Sequence, residues 1–212
     1  HSIPSAQRMN VGVLLFVFAC HLAFAATLVA GKSYHPSDIA NPMAGGAAAT
    51  TFCGRPGVPR SAICDPDNLM SKDAKDAIEG FINLATSDSE IGVVVVDAMA
   101  SGFVMLKSYE AAAEKFARMV HDAWGVGDKE RNNGVLVFLS VKDRAFFIST
   151  GAGAGKVLTA AYIDSVMEHA KPMLRVHDVG KAVESIVVEI DLILSDPVKA
   201  RVRHSSRSEE RR

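Results

Sequence analysis

Two kinds of apolar pattern recur along the chain. Three short runs rich in Val, Ile and Phe have the length and composition of β-strands; they are Ile91–Asp97, Val135–Ser140 and Ala145–Thr150. Four longer stretches carry apolar residues at helical spacing, which predicts amphipathic helices; they begin near Ser71, Lys107, Ile163 and Asp178. The chain is therefore predicted to form a mixed α/β domain.

The order of these elements predicts how the strands pair. The first two strands are separated by a helix, about Lys107–Trp124, which makes a βαβ unit with parallel strands and a right-handed crossover. The second and third strands are joined by only four residues, 141–144, which predicts an antiparallel hairpin. We therefore expect a three-layer α/β sandwich, in which a small mixed sheet with a βαβ unit and a hairpin carries helices on both faces.

The N-terminal residues have a different character. Residues 11–30 are almost wholly apolar, and Ala23-Phe24-Ala25 has the form of a signal-peptide cleavage site. Because the same stretch is long enough to span a bilayer, an uncleaved membrane anchor is the alternative. No later apolar run is that long, so we expect no transmembrane helix in the mature chain. The predicted divisions are 1–25 for upstream residues and signal peptide, 26–52 for a flexible leader rich in Ala, Gly and Pro, 53–195 for the folded domain, and 196–212 for a disordered basic tail.

Composition narrows the classes of function. The 212 residues are 49% apolar and 22% charged, with a net charge of −1, which is typical of a globular domain and gives no reason to expect a nucleic-acid partner. Cleavage of the signal peptide would remove Cys20 and leave Cys53 and Cys64. An even number of cysteines in an exported chain favours a disulfide, with two free thiols or a metal pair as alternatives.

One edge of the predicted sheet gathers oxygen ligands from several loops. The candidates are Asp88 and Glu90 before the first strand, Asp128, Asn132 and Asn133 before the second, and Gly151 after the third. Carboxylates, amides and carbonyls from loops suit Ca²⁺, although a charged, solvated loop accounts for the same residues without a metal. Asp97 and Asp143 are expected at the opposite end of the sheet, as a second acidic group.

Known catalytic motifs are absent from the sequence. The Gly-rich stretch 151–156 fails as a phosphate-binding loop, because Thr150 and Val157 stand where that motif needs Gly and Ser or Thr. A Gly-rich turn between a strand and a helix is the simpler interpretation. The sequence has no nucleophile elbow, no HExxH motif and no Cys/His cluster. His121 lies on a predicted helix and is expected to face solvent.

The runs VVVVDAM and FARMVHDAWGVGDKERNNGVLVFLSVKDRAFFISTGAGAGKVLT resemble the TPM domain family over roughly residues 60–195. The matching features are WG-x-G at Trp124–Gly127, the NNGVL that follows, Asp143-Arg144 in the turn, and G-x-G at Gly151–Gly153. The resemblance implies the α/β sandwich described above. Family members include weak acid phosphatases and calcium-binding proteins, which implies a metal edge formed by Asp128, Asn132, Asn133 and Gly151.

Further features of the sequence bear on which function the chain has. The segment CGRPGVPRSAICDPDNL looks like the animal, receptor-modulating branch of that family. Ala160 and Asn132 stand where family members usually or often carry Asp, so the proposed metal edge has fewer carboxylates. These features favour a secreted or extracellular binding module that modulates a membrane receptor or another surface complex. The alternatives are a metal-dependent acid phosphatase of low specificity and a calcium-binding domain without catalysis, so the sequence leaves open whether the chain is an enzyme.

Overall fold

A computed structural model describes residues 32–104, 108–196 and 198. The predicted signal peptide or anchor, and nearly all of the predicted basic tail, lie outside the described residues. The strands are β1 (Ser33–Tyr34), β2 (Ile63–Cys64), β3 (Glu90–Val96), β4 (Ala98–Met99), β5 (Gly134–Ser140) and β6 (Ala145–Thr150). The helices are α1 (Ala47–Phe52), α2 (Lys72–Asn83), α3 (Ser101–Val104), α4 (Tyr109–Trp124), α5 (Ala160–Arg175) and α6 (Val179–Ser195), with 3₁₀ turns at Pro36–Asp38 and Ala154–Lys156.

The central sheet has the strand order β2-β3-β5-β6. β2, β3 and β5 are parallel, and β6 pairs antiparallel with β5. The predicted βαβ unit and hairpin are therefore confirmed, while the two-residue strand β2 is an addition to the three predicted strands. A separate two-stranded sheet pairs β1 with β4 in parallel.

The sheet is covered on both faces, which confirms the predicted three-layer arrangement. Alternate residues of β3 point to opposite faces, as the period of a strand requires. Val93 and Val95 pack in a core with α2, α5 and α6, whereas Val94 and Val96 pack in a second core with α4. Because β3 is buried on both faces, its sequence is a continuous apolar run instead of an alternating one.

The helix starts predicted near Ser71 and Lys107 are confirmed, whereas the helix predicted from Ile163 begins three residues earlier, at Ala160. The Ser71 side chain accepts a hydrogen bond from Ala74 N, and Ser108 does the same for Ala111 N. Gly125 ends α4 in the left-handed conformation, with φ of 64°, where glycine carries no steric penalty. Pro172 lies inside α5, which continues to Arg175 before it ends. In the described residues, no helix has both the length and the apolar content needed to cross a bilayer.

The prediction of a flexible leader is wrong for residues 33–52, which form elements and pack on the domain. Tyr34 is buried, and its hydroxyl donates to Asp67 Oδ1 at 2.8 Å. The Asn41 amide donates to the Trp124 carbonyl oxygen at 3.2 Å. Short segments held by single anchors leave no periodic apolar pattern, which is why the sequence resembled a linker.

Cys53 and Cys64 form a disulfide, with an S–S distance of 2.08 Å and both residues buried. The predicted pairing is confirmed, and the alternatives of free thiols or a metal pair are wrong. The bond joins the end of α1 to β2, so it ties the N-terminal segment directly to the central sheet. A closed loop of this size stabilises a fold by about 3 kcal/mol on the chain-entropy model.

Candidate functional site

The edge of the sheet where β5 begins and β6 ends carries the 125–133 loop. The loop leaves α4 at Gly125 and reverses at Gly127, whose φ is 96°. The Gly127 N–H donates to Glu90 Oε2 at 2.6 Å. This bond joins the loop to the start of β3, so the loops from three strands meet at one edge. We call this the loop edge, formed by residues 88–90, 125–133 and 151–155.

The Asp128 side chain forms hydrogen bonds within its own loop. Its Oδ1 accepts the backbone N–H groups of Glu130 at 3.0 Å and Arg131 at 2.9 Å. These hydrogen bonds stabilise the charged carboxylate and lower the pKa of the Asp128 side chain. The side chain is therefore an anion that closes a turn, in the manner of Asp residues that bond to nearby backbone.

A positive charge already stands beside the acidic residues. The guanidinium of Arg131 lies 3.6 Å from Asp128 Oδ1 and 3.6 Å from Asp88 Oδ2. The Asp88 side chain is 94% exposed, so the pair with it is weak and screened by solvent. A dication bound between these two carboxylates would meet the charge of Arg131.

The two asparagines also bond within the chain. Asn133 accepts the Asp128 N–H at 2.9 Å and donates to the Asp88 carbonyl oxygen. Asn132 has a φ of 49°, and its carbonyl oxygen accepts the N–H groups of Gly153 at 2.8 Å and Ala154 at 3.2 Å. Both residues therefore close the loop edge, in addition to any role as ligands.

The Gly-rich stretch after β6 is explained by close backbone approach. A Cβ added at Gly151 would lie 2.3 Å from the Asn132 oxygen, and one at Gly153 would lie 1.9 Å from the Arg131 oxygen. Only glycine fits at these contacts. The expected strand-to-helix turn is present, but its glycines are also required by the loop that packs on them.

The predicted oxygen ligands lie at one edge but face two separate concavities. Asp88, Glu90 and Asn133 line a groove of about 790 Å³ between the loop edge and the end of α2. Asn132 and Gly151 line a cavity of about 410 Å³ against α4, and Asp128 contributes to both. Across the described part of the chain, no three His, Cys, Asp or Glu side chains are grouped as metal ligands.

The second predicted acidic group, Asp97 and Asp143, does lie at the opposite end of the sheet. Asp143 Oδ2 accepts the Met99 N–H and the Ser140 hydroxyl, both at 2.7 Å. Asp67, which the sequence reasoning missed, accepts the Asp97 N–H at 2.9 Å. These hydrogen bonds stabilise the turns after β3 and β5, so the acidic residues at this end of the sheet have a structural role.

His121 is buried at 8% exposure, and the prediction that it faces solvent is wrong. Its Nδ1 lies 2.9 Å from Ser149 Oγ, and its Nε2 lies 3.2 Å from the Val126 carbonyl oxygen. Burial lowers the pKa of the imidazole. The signal was present in the sequence, because His121 follows Ala113 and Ala117 at four-residue intervals on the apolar face of α4.

Comparisons with solved structures support the fold. The chain is similar to the N-terminal domain of a protein from P. gingivalis, solved by NMR, with 19% identity, a TM-score of 0.57, and coverage of 79% of this chain and 96% of that one. It is also similar to the BA42 protein of the psychrophilic bacterium Bizionia argentinensis, with 15% identity, a TM-score of 0.50, and coverage of 62% and 86%. At these identities the likeness concerns the fold alone.

Comparison with protein families gives a direct assignment. No curated protein sequence matches the chain. The family model described as the TPM domain matches residues 63–192, which is more than half of the chain and includes β2, the βαβ unit, the hairpin and most of α6. The chain therefore belongs to the TPM domain family.

Proposed function

We propose that the chain is an exported binding module that recognises a protein partner at the cell surface, such as a membrane receptor or another surface complex. The observation that carries this proposal is the internal bonding of the carboxylates at the loop edge. Asp128 caps its own turn, Glu90 holds Gly127, and Arg131 stands beside both Asp88 and Asp128. A metal-dependent hydrolase needs carboxylates free to converge on a dication.

The groove of about 790 Å³ offers a surface for a partner. Its charged lining consists of four acidic residues and two arginines, an excess of two negative charges; they are Glu79, Asp88, Glu90, Asp128, Arg60 and Arg131. Met43, Val58 and Ile82 supply apolar contact area. Leu84, which follows the groove-lining Asn83 in the chain, is 80% exposed. An extended segment with basic and apolar residues is complementary to this lining.

The disulfide supports the proposal that this module resides in an oxidising compartment. Disulfides persist in extracellular and lumenal proteins and are rare in the cytosol. Cys53–Cys64 is buried and joins two segments of the domain. Secretion itself depends on the predicted signal peptide, which is tested by N-terminal sequencing of the mature protein from the culture medium.

A calcium titration separates this proposal from the metal-based alternatives. We expect calorimetry of the chain from Lys32 onward to record no binding at micromolar Ca²⁺. Binding at micromolar Ca²⁺ that is lost in Asp128→Ala, and kept in Asp164→Ala on α5, would contradict the proposal. That outcome would favour the calcium-binding domain or the metal-dependent phosphatase, and a phosphatase assay would follow.

A peptide titration tests the groove. We expect an extended peptide of alternating Lys and Leu to shift NMR signals of groove residues, with an affinity that falls as salt rises. Reversing one rim charge with Asp88→Lys should weaken binding roughly fivefold, on the order of 1 kcal/mol for an exposed charge. Asp164→Lys is the matched control, because it makes the same change on an exposed residue of α5. Equal loss in both variants would mean that only net charge matters.

A cross-linking experiment tests the cell-surface partner. A photo-activated cross-linker at position 88 should capture an integral membrane protein from intact cells, and the same cross-linker at position 164 should not. Capture of the same proteins from both positions would contradict recognition at the groove.

A further inference from the structure

A second concavity lies on the α4 side of the loop edge. Its volume of about 410 Å³ falls in the range of small-molecule sites. It is lined by the end of α4, the 125–133 loop and the end of β6. Two of its lining residues, His121 and Ser149, are buried and hydrogen-bonded to each other at 2.9 Å. The groove proposed for a protein partner does not include either of them.

The partner of the second ring nitrogen determines where the proton sits on His121. Nε2 lies 3.2 Å from the Val126 carbonyl oxygen, which can only accept a hydrogen bond. In the tautomer that satisfies this carbonyl, Nε2 carries the proton and Nδ1 of the neutral ring is an acceptor. The Ser149 hydroxyl accordingly donates to Nδ1. The serine hydroxyl therefore donates to a basic nitrogen whose ring is oriented by a third group, the Val126 carbonyl, which is the arrangement of an activated nucleophile.

We propose that Ser149 and His121 form a nucleophile–base pair that hydrolyses small, uncharged carboxylic esters. Burial keeps the imidazole neutral at physiological pH, because the pKa of His121 is lowered. A neutral imidazole is the form that can take the serine proton. The pair rests on three geometric features, which are the shared cavity, the Ser149–His121 hydrogen bond and the Val126 carbonyl that orients the ring.

The charges around the cavity favour an uncharged substrate. Two basic residues, Arg118 and Lys129, and two acidic residues, Asp122 and Asp128, line it. Their formal charges cancel, so the cavity does not select anions. Arg118 is already bonded to Glu114 at 3.0 Å. Three glycines, Gly125, Gly127 and Gly151, also line the cavity, and their lack of side chains leaves room for a compact acyl group.

The reaction balances with water as its only co-reactant. Ser149 Oγ attacks the acyl carbon, and its proton passes to His121 Nδ1. The ester C–O bond breaks, and the alcohol leaves with the proton from Nδ1. Water then attacks the acyl-serine, giving its proton to the same nitrogen. The Ser149 oxygen leaves with that proton, and the products are one alcohol and one carboxylic acid.

The direct test uses phenylmethylsulfonyl fluoride, which reacts with activated serines. Ser149 Oγ would form a bond to sulfur, fluoride would leave, and the proton would pass to His121. Mass spectrometry of the unaltered chain after incubation should locate the adduct on Ser149. Absence of an adduct, or an adduct at other serines only, would overturn the proposal without the use of any variant.

Variants give a second test, through hydrolysis of p-nitrophenyl acetate. Ser149→Ala should reduce the release of p-nitrophenolate to the rate without protein, and His121→Gln should slow the protein-dependent rate roughly 100-fold, as loss of a general base does. Ser140→Ala is the matched control, because Ser140 is also fully buried but lies on β5 near the other end of the sheet. It should retain hydrolysis. Circular dichroism establishes that each variant is folded.

The outcomes for this site and for the groove are independent. Ester hydrolysis equal in Ser149→Ala and in the unaltered chain would overturn the nucleophile–base pair and leave recognition of a basic segment untouched. Loss of peptide binding in Asp88→Lys leaves the esterase assay unchanged, because Asp88 does not line the cavity of His121.

Discussion

At the residue scale, the burial of His121 makes a specific prediction about pH. Because the folded state lowers the pKa of this imidazole, the unfolded chain binds the proton more tightly. Stability from the neutral ring is fully present above the unfolded pKa of about 6.5 and falls as pH drops from there toward the folded pKa. The charged groups at the same cavity are Arg118 and Asp122 on α4 and Asp128 and Lys129 on the loop.

The measurement is thermal unfolding between pH 7.5 and 5. We expect the unfolding temperature to fall across this range and the fall to be smaller in His121→Gln. His177→Asn is the control, since His177 is exposed and Asn tolerates its positive φ of 60°. An identical pH dependence in the unaltered chain and in His121→Gln would contradict the linkage.

A second residue-scale prediction concerns Gly153. Its φ of −71° is accessible to any residue, so the need for glycine is purely steric. An added Cβ would lie 1.9 Å from the Arg131 carbonyl oxygen, and Gly153→Ala should cost about 1–3 kcal/mol, as overpacking does. Denaturant unfolding measures this cost.

Gly80→Ala is the matched control for that experiment. Gly80 lies inside α2, where an added Cβ meets no atom within 4 Å. Alanine has the higher helix propensity, so this variant should be neutral or slightly more stable. If both variants had the same stability as the unaltered chain, the distance between Gly153 and the Arg131 carbonyl oxygen would be larger than in the structure, and the prediction would be wrong.

A third prediction at this scale concerns the ion pair of Lys75 and Asp65, residues that are 2% and 0% exposed. Lys75 Nζ lies 3.5 Å from Asp65 Oδ2 and donates to Gly54 O at 2.9 Å and Asn68 Oδ1 at 2.8 Å. Lys75→Ala would leave the buried carboxylate without its cation and should cost about 3–5 kcal/mol. Lys72→Ala is the control, because Lys72 is exposed on the same helix.

At the scale of elements, short segments held by distant partners complete the architecture formed by the long helices and the main strands. β2 has only two residues, yet it joins the parallel sheet and carries Cys64. The disulfide links it to the end of α1. Two pairs of residues, in β1 and β4, hold the segment before α1. Such elements are fixed by partners distant in the chain, and local periodicity does not reveal them.

The disulfide supplies the prediction for this scale. Replacing both cysteines, Cys53→Ala with Cys64→Ala, should lower the free energy of unfolding by about 3 kcal/mol. Because both sulfurs are buried, lost packing adds to this cost. Denaturant unfolding under oxidising and reducing conditions measures it. A reductant should destabilise the unaltered chain and leave the double variant unchanged.

At the scale of the whole molecule, the folded domain includes residues 33–52 and does not begin at Cys53. The segment 33–52 packs Tyr34, Ile39 and Thr50 into the domain, and Asn41 bonds to the end of α4. A chain that begins at Cys53 should therefore unfold at a lower temperature than one that begins at Lys32. Equal unfolding temperatures would mean that the first segment adds no stability.

Much of the fold was predictable from local pattern. The three main strands, the four amphipathic helices and the hairpin all follow from the spacing and chemistry of neighbouring residues, since burial of one helix face or of a whole strand imposes that spacing. The helix start at Ser71 and the cysteine pairing were also predicted correctly. For the candidate site, the sequence predicted which edge of the sheet carries the residues, but not the contacts that they form.

Only the tertiary structure determined what the residues of that edge bind. Asp128, Asn132 and Asn133 have oxygen atoms that could bind a metal, but in the folded loop these residues form hydrogen bonds that close the loop. His121 and Ser149, 28 residues apart, meet because α4 packs against β6. Local sequence determines which elements form, because propensity and burial act over a few residues. Contacts between side chains depend on how the elements pack, and that requires the whole fold.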